Sequence, residues 1–182
     1  VYGEIGLRRC LDAAVGASAY GDDLPDDEAV GVAISWWPSF PGPSGAYIKI
    51  DSDGSGMIIT GAQECGTGSV MTLRMLAAKE LGMEPEDFQL VYQDTSAAPF
   101  DTGATGSQTM LNNGRAVVEG AREVAAQLRD LAADQLEAAP DDIVLASGKA
   151  SVSGSPDKAV SIVELAGAVS YTHLTLPTNG CV

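Results

Sequence analysis

Residues Ala46 to Gly82, AYIKIDSDGSGMIITGAQECGTGSVMTLRMLAAKELG, switch hydrophobic period within one uninterrupted run. AYIKI alternates, as a half-buried strand does. DSDGSG supplies a hairpin turn centred on Asp53-Gly54, and MIITGA returns as the partner strand. After the small-residue loop ECGTG the spacing becomes helical. Val70, Leu73, Ala77 and Leu81 fall on one face of a helix over Ser69 to Leu81, with Gly82 as its C-cap. A hairpin joined this closely to an amphipathic helix buries its apolar face against that helix, which points to an α+β fold.

The flanking sequence extends the pattern. FQLVYQDT predicts a strand over Phe88 to Gln93, and SAAPFDTGATGS is a long loop of small residues. A long helix begins around Gln108 to Met110 and runs towards Glu137, with Val117, Ala121, Val124, Leu128 and Leu131 as its core stripe. IVLASGKASV predicts a strand pair turning near Gly148. SIVELAGAVS starts a helix in which Ser161 and Glu164 make a capping box. Upstream, Leu7, Leu11, Ala14 and Val15 predict a helix within Glu4 to Tyr20, ended by Gly21. GDDLPDDEA is an acidic linker, and Val32 to Trp36 predict a short strand. PSFPGPSG, with three prolines and two glycines in eight residues, is a loop. The predicted architecture is α+β, a mixed sheet with helices packed on one face. Residues 1–30 form an N-terminal helix and linker, and 31–168 form the main domain.

Residues 169–182 read differently. SYTHLTLPTNGCV is Thr-rich and uncharged, and it interrupts the helix that SIVELAGAVS begins. The string SYTHLTLPT resembles an in-frame translation of a sequencing adapter, so the tail is expected to be non-native. The other reading is a genuine β-like segment. The chain begins at Val1 without Met, which is expected of a fragment. His173, the only histidine, lies in the tail. Without it the segment holds no Ser-His-Asp or Cys-His pair and no His-ligated metal.

The formal net charge of −15 leaves no basic stripe for nucleic acid or an anionic membrane surface. No apolar run approaches the about 20 residues of a membrane span, and VYGEIGLRRCLDAAV is not a signal peptide. Cys10, Cys65 and Cys181 form no CxxC pair, and free thiols imply a reducing, cytoplasmic compartment.

Two loops carry the functional signal: Glu64 to Ser69, and Asp101 to Thr109. Each follows a strand and opens a helix, where unpaired N–H groups and the helix dipole favour an anion. Neither is a Walker A or a dinucleotide fingerprint. From the residues alone they are either a cradle for an anionic ligand or two capped helices with tight turns. Cys65 is either a thiol activated at a helix start or, more simply, a small buried residue at a strand end. WWPSFPGPSG is either a contact surface or a loop over the sheet edge.

TGAQECGTGSVMTLRMLAAKELGMEPEDFQLVYQDT, followed by DTGATGSQT, resembles the molybdenum-binding large subunit of the xanthine dehydrogenase and aldehyde oxidase family. The resemblance runs from about Trp36 to Leu165. It implies part of the second molybdopterin-binding region, within a larger molybdopterin-binding domain. Gly66, Thr67 and Gly68 sit where the family has a Gly-Gln-Gly turn near the cofactor. Thr67 replaces the Gln of many members, which removes an amide and shortens the side chain. Thr105, Gly106, Ser107, Gln108 and Thr109 match the loop that binds the pterin and its phosphate or nucleotide end. The resemblance implies hydroxylation of an aldehyde or N-heterocycle with oxygen from water. It also implies a molybdenum cofactor held here, a small-molecule substrate, and 2Fe-2S and FAD centres on other domains or subunits of the complex. The family's catalytic glutamate is expected downstream, so no catalytic residue is assigned. Glu64 and Glu164 read as caps or solvated charges. The fragment is expected to be inactive alone. The alternative is a non-catalytic scaffold or binding domain that uses the same fold without cofactor.

Overall fold

The computed structural model describes residues 6–35, 37–92 and 94–168. The expected helix start at Glu4, Trp36 of the first expected strand, Gln93 and the tail 169–182 lie outside the described residues. The chain divides into two units, Val1–Pro38 and Ser39–Val182.

The first unit holds helix α1, Leu7–Gly16. It ends before the expected Gly21. Ser18 takes over the Val15 carbonyl through both its N–H and its hydroxyl, closing the last turn. None of its residues is buried. The strand expected from Val32 is absent over the described residues 32–35, and Ile34 is 55 % exposed. Strand preference follows from packing against neighbours, and here the apolar run finds none.

The second unit contains two three-stranded sheets. In the first, β1 (Ala46–Ile50) pairs antiparallel with β2 (Gly56–Thr60), Ile48 opposite Ile58. Gly54, at φ 84, makes the turn between them, and Asp53 accepts the Ser55 N–H and hydroxyl. β2 then crosses through α2 (Ser69–Leu81) to β3 (Phe88–Val91), which runs parallel to it. This sheet is mixed, as expected. In the second, β4 (Ile143–Ala146), β5 (Lys149–Val152) and β6 (Ser155–Ser161) form an antiparallel meander. Ser147 and Gly148, both at positive φ, make the two-residue hairpin between β4 and β5.

α3 (Thr109–Leu136) contacts strands of both sheets and packs along α2. Its predicted stripe is the core face: Val117, Ala121 and Leu128 are buried, with Val124 and Leu131 packed against the core. The opposing α2 face contributes Leu73, Ala77 and Leu81. Phe88, Ile58, Ile162 and Leu165 complete the centre. α4 (Ile162–Ala168) starts on the expected capping box: Ser161 N–H donates to Glu164, whose own N–H donates to the Ser161 hydroxyl.

The two long helices end alike. Gly82 after α2 and Glu137 after α3 are both left-handed. Beyond each, an N–H reaches back five residues: Met83 to the Ala78 carbonyl, and Ala138 to that of Ala133. A proline-led turn of 3-10 helix follows in both places, Pro85–Asp87 and Pro140–Asp142, and each leads directly into a strand. The same local grammar thus delivers β3 and β4.

Candidate functional site

The two loops meet at their roots. Gly61, one residue past β2, lies so close to the second loop that an added Cβ would fall 2.6 Å from Asp101 Cβ and 2.8 Å from the Pro99 carbonyl oxygen. Only glycine permits that approach. A groove of about 590 Å³ opens beside the contact, lined by Gly61, Gln63, Pro99, Phe100, Asp101 and Gly103 among others. Among the described residues no hydrogen bond joins the tip Gly66–Gly68 to Thr105–Thr109.

The first loop carries its own anion. Glu64 folds back so that Oε1 accepts the N–H of Gly66 at 2.7 Å and of Gly68 at 3.1 Å. Oε2 accepts the Ser69 hydroxyl at 3.0 Å and the Val70 N–H at 3.1 Å. The Val70 amide, then the Ser69 hydroxyl and the Gly68 and Gly66 amides, hold the carboxyl down at about 2 against an ordinary 4.5. Gly66 and Gly68 sit at φ 89 and 75, with nothing within 4 Å of where a Cβ would stand. Their lack of side chain serves the backbone turn. Of the two readings left open, cradle or capped helix with a tight turn, the first loop shows the features of the second: the amides of Gly66 and Gly68 are engaged from within the chain. Glu64, read from sequence as a cap or a solvated charge, acts as a cap. Cys65 is exposed, not buried at a strand end, and no hydrogen bond joins it to a base among the described residues.

The second loop is built differently. Asp101 Oδ1 accepts the Gly103 N–H at 2.7 Å, and Gln108 N–H closes a turn on the Thr105 carbonyl at 3.2 Å. Gly106 and Ser107, the middle of that turn, are both left-handed at φ 56 and 58. Gln108 is 1 % exposed; its Nε2 donates to the Gly103 carbonyl, while its Oε1 is buried without a donor. No side chain caps α3. A 28-residue helix thus begins at Thr109 with no carboxylate bonded to its first-turn amides among the described residues. Ser39 touches this loop from outside, its hydroxyl donating to the Ser107 carbonyl. Of WWPSFPGPSG, Phe40 is exposed, and Gly42 N–H donates to Asn112 on α3.

The sequence reading missed the polar knot behind both loops. Asp101 Oδ2 accepts from Asn113 Nδ2 at 2.6 Å and from the Ser44 hydroxyl at 2.7 Å. Asn113 Oδ1 accepts from the Thr60 hydroxyl at 2.9 Å, whose oxygen accepts the Ala62 N–H at 3.2 Å. One signal was available: Asn113 stands four residues before Val117, a polar residue on the core stripe.

A profile of the Molybdopterin cofactor-binding domain family matches residues 17–181. The nicotine 6-hydroxylase large subunit of Paenarthrobacter nicotinovorans is 35% identical over 134 residues, 74% of this chain and 16% of the relative. From the same organism, the 6-hydroxypseudooxynicotine dehydrogenase complex subunit gamma is 32% identical over 121 residues, 66% of this chain and 15% of that subunit. Among solved structures, CO dehydrogenase from Oligotropha carboxidovorans superposes with a TM-score of 0.66 at 29% identity, covering 72% of this chain and 16% of that one. Quinoline 2-oxidoreductase from Pseudomonas putida 86 gives 0.63 at 28%, covering 70% and 16%. The chain spans about 16% of the length of these relatives. It belongs to the molybdopterin cofactor-binding domain family, related to the large subunits of molybdenum hydroxylases.

Proposed function

We propose that this chain supplies cofactor-binding loops to the large subunit of a molybdenum hydroxylase, and that Thr105, Gly106, Ser107, Gln108 and Thr109 carry the principal contacts. The observation that carries this reading is Gln108. Its buried Oε1 is an acceptor in want of a donor, at the root of a helix whose first amides are donors in want of an anion. A pterin offers ring N–H and amino donors beside a phosphate, so both needs are met by one molecule. The residues present fit that group at the second loop. At the first, Gly66, Thr67 and Gly68 contribute the shape of the backbone and the Thr67 hydroxyl, since Glu64 already engages two of the amides.

When bound, the cofactor supplies oxidative hydroxylation of a substrate carbon, with water as the oxygen source. The chain's own contribution is to bind and orient it. Nicotine, quinoline and hypoxanthine, named for relatives of this chain, are N-heterocycles, which favours an N-heterocycle as substrate class over an aldehyde. The relatives named as a large subunit and as subunit gamma of a complex support partner subunits, and in this reading those partners carry the iron–sulfur and flavin centres.

The test is pterin and molybdenum per polypeptide in the full-length subunit, produced with its partners. Wild type should hold both. Gln108→Ala should retain them about tenfold more weakly, the worth of one buried hydrogen bond. Wild type without pterin would sink the reading in favour of a second, a binding domain of the same fold that takes no cofactor. One feature favours that second reading: the first loop is complete without a guest.

A further inference from the structure

We propose that Asp101 and Asn113 are positioning residues, whose paired side chains clamp the roots of both loops to α3 so that neither loop can shift independently of the other. The inference rests on the cofactor-binding reading above for its functional meaning, and on the polar knot for its geometry.

The knot is continuous. From the Gly103 N–H it runs through the Asp101 carboxylate to Asn113, on to the Thr60 hydroxyl, and ends on the Ala62 N–H. Its first member belongs to the second loop and its last opens the first. Ser44, which enters β1, donates to the same carboxylate oxygen as Asn113. Thr60 is 0 % exposed and Asn113 1 %. Four points of backbone are therefore tied together by side chains of which Thr60 and Asn113 are shut off from water and Asp101 is partly exposed. Further contacts hold the second loop against the root of the first and against the segment that enters β1. Gly61 packs against Asp101 and Pro99, Gly45 N–H donates to the Phe100 carbonyl at 3.0 Å, and the Thr102 hydroxyl donates to the Pro43 carbonyl at 2.7 Å.

Apolar side chains would fill this place at no loss of burial. A polar network fixes one arrangement, because every misplacement leaves a buried donor or acceptor without a partner. Thr60 and Asn113 lie buried behind the groove, and Asp101, partly exposed, joins them to the groove wall.

The chemistry of the pair gives a reciprocal test. In Asp101→Asn, the single amide oxygen can accept from Asn113 or from the Gly103 N–H but not from both, so one of the two bonds becomes donor against donor. In Asn113→Asp, two carboxylates face each other. In the double variant Asp101→Asn with Asn113→Asp, every bond has a counterpart. The new amide oxygen accepts the Gly103 N–H, and its NH₂ donates to the new carboxylate, which still accepts the Thr60 hydroxyl. Ser44 turns from donor to acceptor.

The measurements are pterin and molybdenum content of the full-length subunit with its partners, and amide hydrogen exchange over 61–70 and 101–109. Each single variant should retain about tenfold less cofactor and exchange faster in both loops, while residues 121–136 of α3 stay protected. The double variant should return both readouts to near wild type. Thr60→Val, which keeps the volume and cuts the bonds from Thr60 to Asn113 and to Ala62 while leaving Asp101 and Asn113 paired, should loosen the first loop and lower cofactor content even if the charged variants fail to fold. Single variants that keep wild-type exchange in the first loop overturn the clamp. So does a double variant that is no better than either single one. If wild type itself lacks pterin, the cofactor reading falls, and the exchange pattern still decides the clamp.

Discussion

Glu64 has spent its charge inside its own loop. A carboxyl held at about 2 contributes to the folded state only while ionised. Its folded value lies below its ordinary 4.5, so its stabilisation is present above pH 4.5 and is lost as pH falls from there towards 2. Amide exchange should therefore be constant for Gly66, Gly68 and Val70 from neutral pH to about 5, after correction for intrinsic rates, and then rise as acid protonates the side chain. Glu64→Gln should show the raised exchange at neutral pH, because its NH₂ sets donors against donors. A flat profile in acid would show that the amides are held by something else. The residue scale is also where sequence reading was weakest. Glu64 and its four donors lie within seven residues, and its role as a cap was legible. The bond between Thr60 and Asn113 spans 53 residues of chain, and that between Ser44 and Asp101 spans 57. Neither partner announces the other, because a long-range polar contact has no periodicity.

At the scale of the elements, the two helix ends make a matched pair with opposite expectations. Gly82 sits at φ 65, and a Cβ there would collide with the backbone of Leu145 on β4. Gly82→Ala should cost about 2 kcal/mol or more, combining left-handed strain with the clash. Glu137 occupies the equivalent place at φ 47 with a side chain that the conformation disfavours. Glu137→Gly should stabilise the chain by about 1 kcal/mol. Chemical denaturation of both variants checks the signs together. Both α2 and α3 were legible to within a residue, because each combines an apolar stripe with a clear stop. β6 was not. Ser155, Pro156, Asp157 and Lys158 carry no alternation, and the strand exists because β5 offers it an edge. The strand expected from Val32 failed for the converse reason: its residues are apolar, and no neighbour pairs with them. The second sheet followed from β6, so a single mixed sheet was all that the pattern could suggest.

At the scale of the whole molecule, the chain corresponds to about 16% of its relatives' length. The isolated 182-residue chain should accordingly retain no stoichiometric molybdenum after purification, measured by elemental analysis. Metal retained at one equivalent would show that these two loops suffice. Among the described residues no helix is long and apolar enough to cross a membrane. The fold class was legible throughout, since the order of strand, hairpin and helix leaves few arrangements. The two loops were legible as loops; that a carboxylate engages amides of the first, while none is bonded to the amides that start α3, was not. That asymmetry bears on how the two loops answer their surroundings. The first, held by an internal carboxylate, should keep its turn as salt or added anions change, whereas the amides that start α3 should respond to any anion that reaches them.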